Sequence, residues 1–278
     1  MSEMASVALP NNRYTLFRVF KYTVYLLLAY NVYAFFLDNH AAAGSVFGDG
    51  LQWSRVIEAY NDSIDTLAWV LLLLVFELET FVLADHRIRG WIKWTLNAIS
   101  AFCYLFIVYS FYGYVAEMVY VSDLASVAQP VCELAAQGGW QLVVAQDEYV
   151  PLTAANCTTL ADARVLRLAD VQILGDTAVW REIEWLAWTD VINAGAWLLV
   201  VVILAFEVWL QLRHELSDRI MRYSQLVKAV LYFTLFLCAI YWGFSGSFLD
   251  FWDAFLWLVA FFFIELNLFE WQAETSGE

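Results

Sequence analysis

Long unbroken apolar runs, not alternating ones, set the pattern of this chain. Six stand out: Lys21–Leu37, Thr66–Ala84, Leu96–Val115, Ala194–Leu212, Lys228–Gly243 and Ala254–Phe269. Each approaches the ~20 residues that carry a helix across a hydrocarbon core of about 30 Å. None contains proline, and all exceed an ordinary strand in length, so each predicts a helix. Met1–Asn12 carries no charge before Asn12 other than Glu3, and no small-residue cleavage site follows the first run. That run is therefore read as a retained helix and not a signal peptide.

The polar positions inside this pattern repeat. Asp62-Ser-Ile-Asp65-Thr-Leu-Ala-Trp69 opens the second run, Asp190-Val-Ile-Asn193-Ala-Gly-Ala-Trp197 the fourth and Asp250-Phe-Trp-Asp253-Ala-Phe-Leu-Trp257 the sixth. In the same register Glu77 and Glu79 match Ala205 and Glu207, then Glu265 and Asn267, and His86 matches His214. Lys21, Lys93 and Lys228 each open an odd run, with Asn31, Cys103 and Cys238 ten residues on. Repeated supersecondary units stack side by side. The expectation is an all-α integral membrane fold: six transmembrane helices as three tandem helical hairpins around a pseudo-threefold axis, divided at 1–86, 87–214 and 215–278. This layout resembles that of the mitochondrial carriers. Their Pro-x-[Asp/Glu]-x-x-[Lys/Arg] signature is absent, however, and Pro10, Pro130 and Pro151 all lie outside the runs. No family is assigned.

Composition agrees with a membrane protein: 62% of residues are hydrophobic and 15% charged, against roughly 45–50% and about 25% in soluble domains. Ten of the fourteen Lys and Arg lie before the first helix or in the short connections after the second and fourth. By the positive-inside rule this places both termini in the cytoplasm of an inner (plasma) membrane protein. A formal charge of −15 argues against nucleic acid as a partner and against a polybasic lipid anchor. The expected partners are the lipid bilayer and either a second copy or another membrane subunit.

The outer loops within the hairpins differ. The third turns through Gly243–Phe248, the first spans Asp38–Asn61, and the second holds an insertion, Val121–Trp180, expected to form an external lobe at 121–180. Within it, Trp140–Val144 and Arg164–Leu174 read as short strands, and Cys132 and Cys157 as a disulfide suited to an oxidising exterior. Cys103 and Cys238, inside apolar runs, read as packing residues.

Three groups could carry chemistry. Asp62, Asp65, Asp190, Asp250 and Asp253 sit at the predicted outer starts of the even helices, paired at i,i+3 on one face. They either cap helix N-termini or form an acidic vestibule that concentrates cations. Glu77, Glu79, Glu207 and Glu265 fall in the inner half of the membrane, where a carboxylate needs a partner, a proton or water. They either pair with Lys21, Lys93 and Lys228 or line a hydrated path that binds cations or protons, and the acids outnumber these lysines. Trp69, Trp197 and Trp257 read as packing or interfacial residues, and His86 and His214 as solvated loop residues. No histidine falls inside an apolar run, and no phosphate-binding loop, nucleophile elbow or zinc motif is present. No cofactor, metal site or catalytic residue is expected. The leading expectation is a non-enzymatic cation channel or transporter, with proton coupling an option. Its rival is a non-catalytic membrane subunit or scaffold that binds partner helices and an external protein.

Overall fold

The computed structural model describes residues 11–46, 56–79, 90–160, 163–169, 171–213 and 217–276. It is mostly helical. Six long helices, α1 (Asn11–Val46), α3 (Asn61–Glu77), α4 (Trp91–Val121), α6 (Thr177–Leu212), α7 (Asp218–Ser245) and α8 (Phe248–Ser276), carry the bulk of the chain. A single-turn α2 (Val56–Ala59) precedes α3. Four of the long helices, α1, α4, α6 and α7, are long and apolar enough to cross a membrane. Their free faces show large apolar side chains, including Leu26, Leu105, Val202 and Phe233, each more than half exposed. Water would penalise such a surface, whereas acyl chains would not.

Each long helix packs on its neighbours in sequence, and α8 returns to α1, so the six form a closed ring. Val24, Leu28, Leu73, Val200, Leu235 and Ala260 fill its middle. The helix starts are fixed by local polar chemistry. Asp176 caps α6 by accepting from the Ala178 N–H at 3.3 Å. Ser217 caps α7. Ser247 and Asp250 form a capping box before α8: the Asp250 N–H donates to Ser247 Oγ at 3.1 Å, and the Ser247 hydroxyl donates to Asp250 Oδ2 at 2.8 Å. α3 has no cap from its own flank. Asn39 of α1 serves instead, accepting from the Ser63 N–H at 3.2 Å and donating to Asp62 at 3.0 Å.

Between α4 and α6 the chain builds a lobe of five strands with order β1-β4-β5-β2-β3: β1 (Leu124–Ser126), β2 (Gln141–Ala145), β3 (Glu148–Pro151), β4 (Val165–Leu168) and β5 (Ile173–Asp176). All pairs are antiparallel except β2 with β5. Strand alternation buries both faces. Val143 and Ile173 pack toward Trp180 and Ile183 of α6. Leu142 and Leu174 pack toward α5 (Val131–Gln137) and a 3₁₀ turn at Cys157–Leu160. The Cys132–Cys157 disulfide ties α5 to that turn. Gly175 leaves room for its neighbours, since a Cβ there would lie 2.6 Å from Val143 Cγ1 of the paired strand β2 and 3.1 Å from Trp180 Nε1 of α6. Cys103 and Cys238 are buried free thiols.

The helices outrun the apolar blocks that announce them. α6 begins at Thr177, not Ala194, so Asp190 lies more than three turns inside a helix and cannot act as its cap. The early turns of α6 are amphipathic: Trp180, Ile183 and Ala187 are buried while Arg181, Glu182 and Trp188 face outward, and charge on one face hides a helix from a search for uniform hydrophobicity. α1 likewise continues to Val46, taking Asp38 and His40 from the expected loop into the helix. The run Arg164–Leu174 resolves into two strands, β4 and β5, while β1, β3 and α5 have no counterpart among the expected elements. His86, His214 and the end of Thr66–Ala84 lie outside the described residues.

Candidate functional site

The lobe-side ends of the helices enclose a bowl of about 480 Å³. Asp62 and Asp65 enter it from α3, Asp190 and Asn193 from α6, and Asp250 and Asp253 from α8. The structure therefore brings the three pairs to one cavity, Asp190 included, although its helix starts elsewhere. Asp38, Glu117, Asp147 and Glu148 join them, giving nine carboxylates, and among the described residues no Lys or Arg lines the bowl.

What holds these carboxylates is neutral. Asn31 donates to Asp253 Oδ1 at 2.7 Å, Gln146 to Asp190 Oδ2 at 3.1 Å and Asn39 to Asp62. Tyr114 donates to Asp65 at 3.4 Å. Trp69 and Trp257 follow Asp65 and Asp253 by four residues, on the same helix faces, and line the same bowl. Neutral donors fix an acid's position without cancelling its charge. Two unit charges 8 Å apart repel by about 2 kcal/mol at an effective dielectric of about 20, so nine acids in one bowl call for protons or cations.

The β2–β3 turn closes over the mouth. Ala145, Gln146, Asp147 and Glu148 line the bowl from above, and the turn takes Asp147 to φ 59°, a left-handed conformation that aspartate tolerates better than most residues. Part of the Asp147 side chain reaches solvent. Crowding by the surrounding protein strips hydration from its carboxyl, and Asp62, Asp250 and Asp38 repel it, together pushing it up to about 7.

The floor is aromatic. Trp69 lies 6.1 Å from Trp257 and 6.5 Å from Trp197, ring centre to ring centre, and Trp197 lies 4.3 Å from Phe261. Below it is a second cavity of about 380 Å³, mostly apolar, which Trp69, Trp257 and Phe261 also line. Glu79, in a π-helical turn that extends α3, is the charged residue of its lining. It has no ion pair among the described residues.

The other glutamates are tied to lysine. Lys21 Nζ reaches Glu77 at 2.6 and 2.9 Å, and Tyr22 adds a bond at 2.9 Å. Lys228 donates to Glu207 at 3.0 Å and to Glu265 at 3.2 Å, with Ser224 and Tyr232 as further partners of those acids. Lys93 is exposed and has no ion pair among the described residues. Its hairpin carries Ala205 where the others carry Glu77 and Glu265, which explains the missing bridge. A shared signal went unread in the sequence: Lys21-x3-Tyr25 and Lys228-x3-Tyr232 put a second donor one turn beyond each pairing lysine.

Comparison with protein-family models, curated proteins and solved structures finds no match.

Proposed function

We propose that the chain crosses the inner membrane six times, as three hairpins about a pseudo-threefold axis with both termini cytoplasmic and the lobe outside, and that it is a channel or transporter for cations. The observation that carries this reading is the contrast between the two sets of acids. Glu77, Glu207 and Glu265 are bridged by two lysines, Lys228 being shared by the last two, while Asp62, Asp65, Asp190, Asp250 and Asp253 of the bowl's nine acids are held by amides and hydroxyls. A protein that used its acids only for packing would pair or cap them all. Asp250 does cap, yet it faces the same cavity as eight others. On this reading the bowl is the external vestibule, the Trp69–Trp257–Phe261 layer is the barrier, and Glu79 is the inner cation or proton site. α3 and α8 join α1, α4, α6 and α7 as spans because they complete the ring. The 17 residues of α3 rise ~26 Å at 1.5 Å per residue.

The lysine bridges favour a second reading, a rigid membrane subunit without transport, because they tie α1 to α3, α6 to α7 and α7 to α8. Flux decides between them. Purified protein in liposomes should admit K⁺, Na⁺ or Ca²⁺ above protein-free vesicles, and Asp65→Asn with Asp253→Asn should lower that flux by about tenfold or more. Flux equal to that of empty vesicles for all three cations would reject transport.

A further inference from the structure

We infer that the cavity below the tryptophan layer binds a primary amine on a single aliphatic chain, its ammonium on Glu79 and its chain running toward Trp69 and Trp257. This rests on the reading of Glu79 as the inner cation site and names the chemistry of that cation. Comparison of the hairpins leads there. Glu79 and Glu207 hold the same register position, and each precedes the lysine that opens the next odd run, Lys93 and Lys228. Glu207 accepts from the Lys228 ammonium at 3.0 Å. Glu79 has no such partner among the described residues. Lys93 stands exposed two residues after the start of α4, whereas Lys21 and Lys228 are buried ten residues inside their helices.

The cavity lies at the same departure from the repeat. Ala205 stands where the other hairpins carry Glu77 and Glu265, and it lines the cavity with Ser100 of α4. A glutamate side chain at 205 would take up space that alanine leaves. The walls are apolar, from Leu72 of α3 to Val201 and Leu204 of α6 and Ile264 of α8. Trp69 and Trp257 bound the cavity at one end. Glu79 follows Trp69 by ten residues on α3, a rise of ~15 Å at 1.5 Å per residue, so the charge sits at the other end. The volume of about 380 Å³ falls in the usual range for small organic ligands, roughly 300–1,000 Å³.

Other occupants leave one end of this arrangement unmatched. A metal ion would have to give up its hydration shell against apolar walls. A neutral alkyl chain fills the space but leaves the Glu79 carboxylate uncompensated at membrane depth. A phospholipid brings a phosphate, which Glu79 repels and which no Lys or Arg among the described lining residues neutralises. A single-chain primary amine matches both ends, with charged N–H donors for Glu79 and methylenes for the walls. The lysine side chain is itself a primary ammonium on an aliphatic stem. The Lys228–Glu207 contact is therefore the protein's own version of the contact assigned to Glu79.

The test is calorimetric binding to the full-length protein in detergent at neutral pH, with the heat of titrating protein-free micelles subtracted. The probes are hexylamine, butylamine and hexan-1-ol. Hexylamine should bind at least about tenfold more tightly than hexan-1-ol, because only the amine offers a charged donor to Glu79. It should also exceed butylamine by about tenfold, since two further methylenes leave water; the acids of the bowl would not make that distinction. Glu79→Gln should bring hexylamine down to the affinity of hexan-1-ol and leave hexan-1-ol unchanged. Ala205→Phe should weaken both by filling the cavity. Lys93→Met, at an exposed position, should change hexylamine binding by less than about threefold. Folding of each variant is checked by its elution profile and helical circular dichroism; where Ala205→Phe fails that check, Ser100→Leu replaces it. Equal affinity for hexylamine and hexan-1-ol overturns the inference, and so does equal affinity for the two amines, which would place the ammonium in the bowl. A larger gain in Lys93→Met would make Lys93 the partner of Glu79 and overturn it too. Flux of K⁺, Na⁺ or Ca²⁺ that falls in Glu79→Gln, with no binding of hexylamine, overturns this inference alone and leaves the inner cation site standing. Absence of both amine binding and cation flux overturns both.

Discussion

Glu77→Gln separates a structural carboxylate from a transporting one. Lys21 and Glu77 are each 4% exposed, so neither end reaches water. At 2.6–2.9 Å the attraction is about 6 kcal/mol for an effective dielectric of 20, before desolvation is subtracted. Glutamine keeps the shape and can still accept from Tyr22, but it removes the carboxylate charge that lies 2.6–2.9 Å from the buried Lys21 ammonium. Removing one partner of such a pair costs roughly 3–5 kcal/mol. Lys21→Met added to Glu77→Gln removes the buried cation as well and should recover most of that loss. Lys93→Met, at an exposed position, should change stability by no more than about 0.5 kcal/mol. The assay is thermal or denaturant unfolding in micelles, or the rate of heat inactivation where unfolding is irreversible. The reasoning fails if Glu77→Gln unfolds like wild type, or if the double variant is less stable than the single one. A stable Glu77→Gln protein that has lost cation flux would return Glu77 to the list of transport sites.

Four further outcomes are expected. Asp147 carries a folded pKa above its unfolded value, so its contribution to stability is fully present below pH ~4 and is lost as pH rises through about 7; protection factors of the β2 and β3 amides, with the intrinsic pH dependence of exchange divided out, should rise on going from pH 8 to 6, and Asp147→Asn should flatten that rise. Cation binding should move the opposite way, weakening as protons occupy the bowl. Reduction of Cys132–Cys157, which closes 25 residues, should cost roughly 3 kcal/mol, and loss of lobe protection against protease in reductant alone would show it. Reporter fusions at Glu278 and within Gln137–Trp140 should report opposite sides of the membrane, and a shared side would reject six spans.

Much of the helical framework was legible because six apolar runs have no other stable form at that length and composition. The boundaries were not, because a helix may change surroundings along its length. In α6 the segment from Thr177 to Trp188 packs one face on the lobe sheet and exposes Arg181 and Glu182. Uniform hydrophobicity then starts only near Ala194. The same cause hid the outer turns of α1, where Asn39 and Asp38 face the bowl. The lobe strands are three to five residues long, too short for alternation to announce all of them. β3 holds Pro151 at its end, as an edge strand permits.

The site was legible in its residues and not in their roles. Spacing alone showed Asp62, Asp65, Asp190, Asp250 and Asp253 as a set, and capping competed with a vestibule as the explanation. Capping is real at Asp250, but position within a helix decides against it at Asp190, and the decisive helix start is encoded by Asp176, fourteen residues upstream. The inner glutamates show the complementary difficulty. Whether a membrane acid is paired depends on which neighbour's lysine comes within reach, and that is set by the packing of successive helices: Lys228 reaches back to Glu207 on α6 and forward to Glu265 on α8. Once these pairs form, the burden of explaining uncompensated charge shifts to the bowl and to Glu79. Acids that could have been neutralised cheaply by lysine are instead held in place by Asn31, Asn39, Gln146 and Tyr114. Such partners preserve a negative field above an aromatic floor, and that field is what supports the proposal of a cation as ligand.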